Sequence, residues 1–324
     1  MRVLVTGGAG FIGSHLCDAL LDAGREVTAL DDLSTGSVVN LTAALARPGC
    51  KFIQGDIRDA LLVERAMENC DAVVHLAARI GLRIIVDSPF DTLDVNARGT
   101  ECVVQAALKK KTPVLVISTS EVYGHSTKIP SSENDPICFG SPTIGRWSYA
   151  CAKAYDEFYS LALQRERGLP VVVVRLFNTV GARQSGRYGM VLPRLTAQAL
   201  SGEPLTVYGD GTQSRCFCSV RDVTTALMTI LLRFDDLSGE VFNIGNPIEM
   251  TILDLAKQIV ERTASKSTIG FVPFSDAYPA GFEEIMRRVP DISKARKAIS
   301  FEPKVPLEEI LDEVVEGLRS SARR

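Results

Sequence analysis

Val3-Leu4-Val5-Thr6-Gly7-Gly8-Ala9-Gly10-Phe11-Ile12-Gly13-Ser14-His15-Leu16 stands at the head of the chain. A β-branched run leads into glycines at 7, 10 and 13, spaced GxxGxxG, and an amphipathic stretch follows. Such glycines let a backbone turn tightly and approach a pyrophosphate, whose charge then sits on the amides and positive end of a helix beginning near Phe11. A second β-run, Glu26–Leu30, is followed by Asp31, 18 residues after Gly13. A carboxylate there accepts both hydroxyls of a ribose and repels a 2′-phosphate, so the pattern predicts NAD rather than NADP. Gly7, Gly10, Phe11, Ile12, Gly13 and Asp31 are the first candidate cofactor contacts. Asp56 and Ile57 in Gly55-Asp56-Ile57, and Leu76-Ala77-Ala78, follow the third and fourth β-runs and are expected beside adenine and pyrophosphate respectively.

Outward from this motif the first half alternates short β-branched runs with longer amphipathic ones. Strands are predicted at Arg2–Thr6, Glu26–Leu30, Lys51–Gln54, Ala72–His75, Pro113–Ser118 and Val171–Leu176, and helices at Gly13–Ala23, Leu61–Glu68, Asp94–Lys109 and Tyr149–Arg167. That rhythm predicts an α/β fold, a Rossmann-type doubly wound parallel sheet with crossover helices. After about residue 178 the rhythm breaks. A strand-like Cys216–Val220 leads to a helix at Val223–Phe234 and a strand at Glu240–Ile244, read as a return to the sheet. The expected organisation is a cofactor domain over 1–177, rejoined by about 216–246, and a smaller C-terminal substrate-binding lobe within 178–324, lying over the carboxyl ends of the strands.

At 324 residues the length suggests about two domains. Basic residues number 36 and acidic ones 39, for a net charge of −3, which gives no footprint for nucleic acid. Any phosphate must therefore be held locally. The eight cysteines form no CxxC pair and read as reduced thiols. Cys216 and Cys218 could share one strand face, but only three histidines exist, and no metal site is expected. No apolar stretch reaches the roughly 18 residues that span a bilayer, so no membrane partner and a cytoplasmic location are expected.

A second constellation is Tyr149-Ala150-Cys151-Ala152-Lys153, with tyrosine and lysine at i and i+4 on one helical face. Ser118-Thr119-Ser120 lies just past the fifth strand, so hydroxyls and the phenol can converge at the sheet edge above a nicotinamide. A nearby ammonium from Lys153 is expected to lower the Tyr149 phenol and let it act as a base near neutral pH.

Taken together, Thr6–Gly13, Asp31, Gly55-Asp56-Ile57, His75-Leu76-Ala77-Ala78, Asn96, Thr119, Glu121-Val122-Tyr123-Gly124, Tyr149, Lys153 and Arg175-Leu176-Phe177-Asn178 resemble the extended short-chain dehydrogenase/reductases of the NAD-dependent nucleotide-sugar epimerase/dehydratase family. The resemblance spans essentially the whole chain. It implies tightly held NAD, with Asn96 among its contacts, and oxidation of a sugar at C4. Tyr149 would be the base, Thr119 would bind the sugar hydroxyl, and Lys153 would also grip the nicotinamide ribose. It further implies Asn178 and Arg215 on the diphosphate and the Leu205-Thr206-Val207-Tyr208 edge, through Leu205, Val207 and Tyr208, on a nucleobase, with UDP-sugars as substrate.

At a finer level, Ser118–Gly124, Arg146-Trp147-Ser148-Tyr149 and the segment 281–292 resemble enzymes that handle UDP-glucuronate, including the decarboxylases, in which residues at the Glu121 and Arg288 positions serve C5 and C6. The segment 182–190 and Arg194 resemble 4-epimerases instead. The leading expectation is 4-epimerisation of UDP-glucuronate, with Arg194, Arg288 or Thr179 restraining the sugar carboxylate. The alternative is UDP-glucuronate decarboxylation from the same C4 ketone, with UDP-glucose 4-epimerisation behind both. A non-catalytic NAD-binding protein is disfavoured by intact Thr119, Tyr149 and Lys153. Apolar residues on Asp94–Lys109 and Tyr149–Arg167, among them Val103, Ala107, Ala154, Phe158 and Leu161, suggest the homodimer that this family builds on that helix pair.

Overall fold

The computed structural model describes residues 1–278 and 283–322. Gly281 and Phe282, part of the segment quoted above, lie outside them. Among the described residues thirteen strands occur in chain order: β1 (Arg2–Thr6), β2 (Glu26–Asp31), β3 (Cys50–Gln54), β4 (Ala72–His75), β5 (Val114–Thr119), β6 (Val171–Leu176), β7 (Thr179–Val180), β8 (Leu205–Tyr208), β9 (Ser214–Cys216), β10 (Cys218–Ser219), β11 (Val241–Ile244), β12 (Glu249–Thr251) and β13 (Ile269–Val272). Seven of them form one parallel sheet in the order β11-β6-β5-β4-β1-β2-β3. Runs such as Val171-Val172-Val173-Val174 are wholly buried because helices cover both faces of a parallel sheet. The strand order reverses between β1 and β4, which opens a crevice at their carboxyl ends where such folds bind ligands.

The six predicted strands and the return at Val241–Ile244 are present with shifts of one residue at some ends. Two expectations change. Cys216–Val220 is not one strand: Cys216 lies in β9, which pairs antiparallel with β12, while Cys218 lies in β10, which pairs with β7. Phe217 between them packs into the lobe core, so the two cysteines do not share a strand face. The sheet also recovers a further stretch of the C-terminal region, since Ile292, Ala295, Ile299 and Phe301 pack in the same core as Val3, Leu16 and Leu227. The short helix Ser293–Ile299 supplies the apolar face that seals this side.

The lobe has its own core of Leu192, Leu195, Leu205, Val207, Phe217, Leu255, Ile259, Ile310 and Leu311. It is built on the β8–β13 and β9–β12 pairs and on the helices Val191–Ser201, Ile252–Thr263 and Leu307–Ala322. No helix among the described residues is long and apolar enough to cross a membrane. Val103 and Ala107 are buried under the sheet and Ala154 packs against Tyr123 and Phe177. Of the five apolar residues offered for a subunit contact, Phe158 alone is largely exposed, at 63%.

Candidate active site

A cavity of about 420 Å³ runs over the carboxyl ends of the central strands, and its walls include residues of both the glycine turn and the lobe. At one end lie Gly7, Gly10, Phe11, Ile12, Gly13, Asp31, Asp56, Ile57 and Leu76-Ala77-Ala78. Gly7 has φ +70, and a Cβ there would lie 2.8 Å from Ala77 N; one on Gly13 would lie 2.1 Å from the Gly7 carbonyl oxygen. The turn must therefore be bare backbone, and its concave face above the helix Phe11–Asp22 suits a pyrophosphate. The Asp31 carboxylate accepts from Ala9 N at 3.0 Å and Leu33 N at 2.8 Å, leaving acceptor capacity for ribose hydroxyls. Burial raises its pKa and those two amides counter the rise. This bare turn with an acceptor beside it fits NAD.

Asn96 is placed differently from expectation. It is fully buried in a π-helical turn, Asp94–Arg98, and does not line the cavity. Its Oδ1 accepts from Arg79 N at 2.7 Å and its Nδ2 donates to Arg79 O at 3.2 Å, so it pins the loop that follows Leu76-Ala77-Ala78. The residue shapes the cofactor wall through backbone.

Further along the cavity, Thr119 ends β5 and Tyr149 lies in the first turn of the helix Trp147–Arg167. The Thr119 hydroxyl accepts from Glu121 N at 3.2 Å and also meets the Tyr149 phenol. Lys153 follows one turn later. The phenol lies above its ordinary value, raised first by burial and then by the Glu121 charge, while the Thr119 hydrogen bond and Arg288 act the other way; a net lowering by Lys153 is not seen. The Lys153 Nζ donates to the fully buried Asp156 at 3.0 Å. Behind the pair, His75 hydrogen-bonds Thr6 Oγ1 at 2.8 Å and Thr100 Oγ1 at 2.9 Å. Burial and the Lys153 charge hold this imidazole down at about 3, so it is neutral.

At the far end the segment from Glu283 to Arg288 crosses the cavity. Arg288 donates to Glu121 Oε1 at 3.1 Å and to Asn178 Oδ1 at 3.2 Å. Burial alone would raise the Glu121 carboxyl, but the charges of Arg288, Arg146 and Arg215 together hold it below the usual range, and it is an anion at neutral pH. Glu284 bridges the two sides, taking Arg215 at 2.8 Å and Arg146 at 3.8 Å. Burial and the neighbouring Arg288 cation bring Arg215 down to about 10. Three guanidinium groups therefore converge on two carboxylates, a surplus that suits an anionic substrate.

The remaining predicted substrate residues divide. Thr179 lines the cavity, as does Tyr208, which meets Tyr278 edge-on at 5.5 Å. Arg194 also lines the cavity; it stacks over the Tyr208 ring at 4.4 Å and donates to Thr206 O at 2.8 Å, which ties it to β8. Leu205 and Val207 do not face the cavity. Side chains alternate along a strand, and these two point into the lobe core. Sequence reasoning missed Arg146, Asp156 and Glu284 as site residues. For the first two a signal existed, since 146, 149, 153 and 156 recur at helical spacing and so share one face.

Fold and site together define a dinucleotide-binding chain of the enzyme class that places a Thr–Tyr–Lys cluster beside its cofactor turn. The model of the NAD dependent epimerase/dehydratase family matches residues 3–245. The chain belongs to this family, and its cofactor is NAD. It is 40% identical over 322 residues, 98% of each chain, to a UDP-N-acetyl-alpha-D-glucosaminuronate decarboxylase of Bacillus cytotoxicus. It is 37% identical to UDP-glucuronic acid decarboxylase 1 of Danio rerio, over 97% of this chain and 72% of that one. Among solved structures it matches the UDP-glucuronic acid 4-epimerase of Bacillus cereus, in complex with UDP-glucuronic acid and NAD. That match has TM-score 0.89 and 29% identity and covers 99% of this chain and 100% of that one.

Proposed function

We propose that this protein decarboxylates a UDP-hexuronate through a C4 ketone. The observation that carries the reading is the Glu121–Arg288 ion pair, held at the Thr119–Tyr149 end of the cavity. It is supported by the two decarboxylases named above, which are closer in sequence than the epimerase, so the weight moves from the leading expectation to its alternative.

Tyr149 must first ionise, and its phenolate then takes the proton of the C4 hydroxyl, with Thr119 aligning that hydroxyl and Lys153 on the same helical face. Gly7, Gly10, Gly13 and Asp31 hold the cofactor. Bound NAD supplies the two-electron acceptor for C4 and later the donor that restores it. Once C4 is a ketone the substrate is a β-keto acid. Its C5–C6 bond breaks, the electron pair moves to the C4 oxygen as an enolate, and carbon dioxide leaves neutral. Arg288 draws the C6 carboxylate to a position where the anionic Glu121 disfavours a second negative charge, and loss of carbon dioxide relieves that repulsion. C5 then takes a proton from solvent water, and Tyr149 returns its own to the C4 oxygen as the ketone is reduced. Asn178 and Arg215 meet the diphosphate, and Tyr208 borders the nucleobase.

Product masses from purified protein test this. UDP-glucuronate and its 2-acetamido analogue each yield a nucleotide lighter by one carbon dioxide, whereas UDP-glucose yields none. Conversion of the uronates to isomers of unchanged mass overturns the reading. We also propose that two copies pair through the exposed Phe90, Tyr155 and Phe158 on neighbouring helices.

A further inference from the structure

Asp156 is a buried acid that the chemistry above does not use. It lies on the helix Trp147–Arg167 at i+3 from Lys153 and i+7 from Tyr149, so all three project from one face. Its relative exposure is 0% and that of Lys153 is 2%, and Lys153 Nζ lies 3.0 Å from Asp156 Oδ2. On the far side the carboxylate meets the Thr100 hydroxyl, which continues to His75 and then to Thr6 beneath the glycine turn. A buried charge is retained when it is paired: Lys153 pairs with Oδ2 and holds the carboxyl down against the rise that burial causes, while Oδ1 has no hydrogen-bond partner among the described residues.

We propose that Asp156 is a positioning residue for the C4 proton transfer: it fixes the Lys153 ammonium and offsets its charge, keeping the Tyr149 phenol a weaker acid than Lys153 alone would make it. The protonated phenol is the form that hands its proton back to the C4 oxygen when the ketone is reduced. The inference rests on the C4 oxidation proposed above and is indifferent to whether carbon dioxide leaves afterwards.

The other charges that bear on this face are already matched. Glu121 and Arg288 face the phenol from the turn after β5 and from the crossing segment, and they are paired with each other. Glu157, next to Asp156, is committed to Arg175 at 2.6 Å. His75 faces Lys153 from β4 and is neutral. Asp156 is thus the one anion bound directly to the Lys153 ammonium among the described residues.

The test needs neither cofactor turnover nor substrate. Ultraviolet difference titration of the purified protein follows phenolate formation, with Tyr149→Phe as the blank that isolates the Tyr149 signal. Asp156→Asn is expected to ionise Tyr149 at a pH lower by about one unit, because a neutral amide leaves the ammonium charge uncompensated. Thr100→Val, which removes a hydrogen bond and keeps the charges, is expected to titrate as the wild type does. Asp156→Ser carries the same expectation as Asp156→Asn where the latter does not accumulate as folded protein. The acid limb of the pH–rate profile for C4 oxidation moves in the same direction. A Tyr149 titration unchanged or raised in the neutral variants overturns the proposal. Because the titration contains no uronate, that outcome is distinct from failure of the decarboxylase reading.

Discussion

Tyr149→Phe lowers turnover by about 100-fold or more while cofactor remains bound, since a positioned acid–base group contributes roughly 10²–10⁴ in rate. The phenol oxygen is the only proton-transferring atom lost, and the ring still fills a site that is 3% exposed. The glycine turn and Asp31 lie on other elements, so the cofactor contacts survive. Steady-state rates together with the cofactor content of the purified variant check this. Near wild-type turnover removes Tyr149 from the role of base, and loss of cofactor along with activity assigns it a structural part instead.

Glu121→Gln separates the two halves of the reaction. The amide keeps the shape beside Arg288 but removes the negative charge that disfavours the C6 carboxylate. Release of carbon dioxide is expected to fall about 100-fold, in the range seen when one preorganised electrostatic group is removed. Oxidation at C4 should fall less, because Thr119 and Tyr149 are untouched and the phenol loses an anion that raises it. Rapid-quench analysis that counts keto-uronate and carbon dioxide separately reads both. Equal losses in the two steps would show that Glu121 supports the site as a whole and has no particular task at C6.

The sheet was legible because its signals are local. A β-run, the GxxGxxG turn and a helix occupy consecutive residues, and a parallel sheet buried on both faces leaves continuous runs such as Val171–Val174. What the sequence concealed depends on neighbours far away in the chain. Phe217 breaks one apparent strand in two only because β7 and β12 offer separate partners to either side of it. Leu205 and Val207 read as contacts along with their strand, yet alternation sends them to the lobe core and leaves Tyr208 to the cavity. Asn96 sits in the matching motif but spends both ends of its amide on Arg79.

The electrostatics of the base were harder to read than its position. Tyr149 and Lys153 fall on one face as their spacing dictates, but the effect of the lysine depends on what else shares that face. Asp156 does, and it holds the Lys153 ammonium at 3.0 Å, the pairing from which the offset of its charge is proposed above. Likewise Arg288, 167 residues from Glu121, meets it only because the segment from Glu283 crosses the cavity. On the function proposed above, that long-range pair decides whether a keto-uronate keeps or loses its carboxylate.

The central claim is therefore a statement about one carbon atom. Incubating the purified protein and NAD with UDP-glucuronate carrying carbon-13 at C6, and following the label by NMR, tests it most directly. The account predicts that the label appears as carbon dioxide and bicarbonate in step with an unlabelled UDP-pentose. Retention of the label in a UDP-hexuronate inverted at C4, with no labelled carbon dioxide, would contradict it.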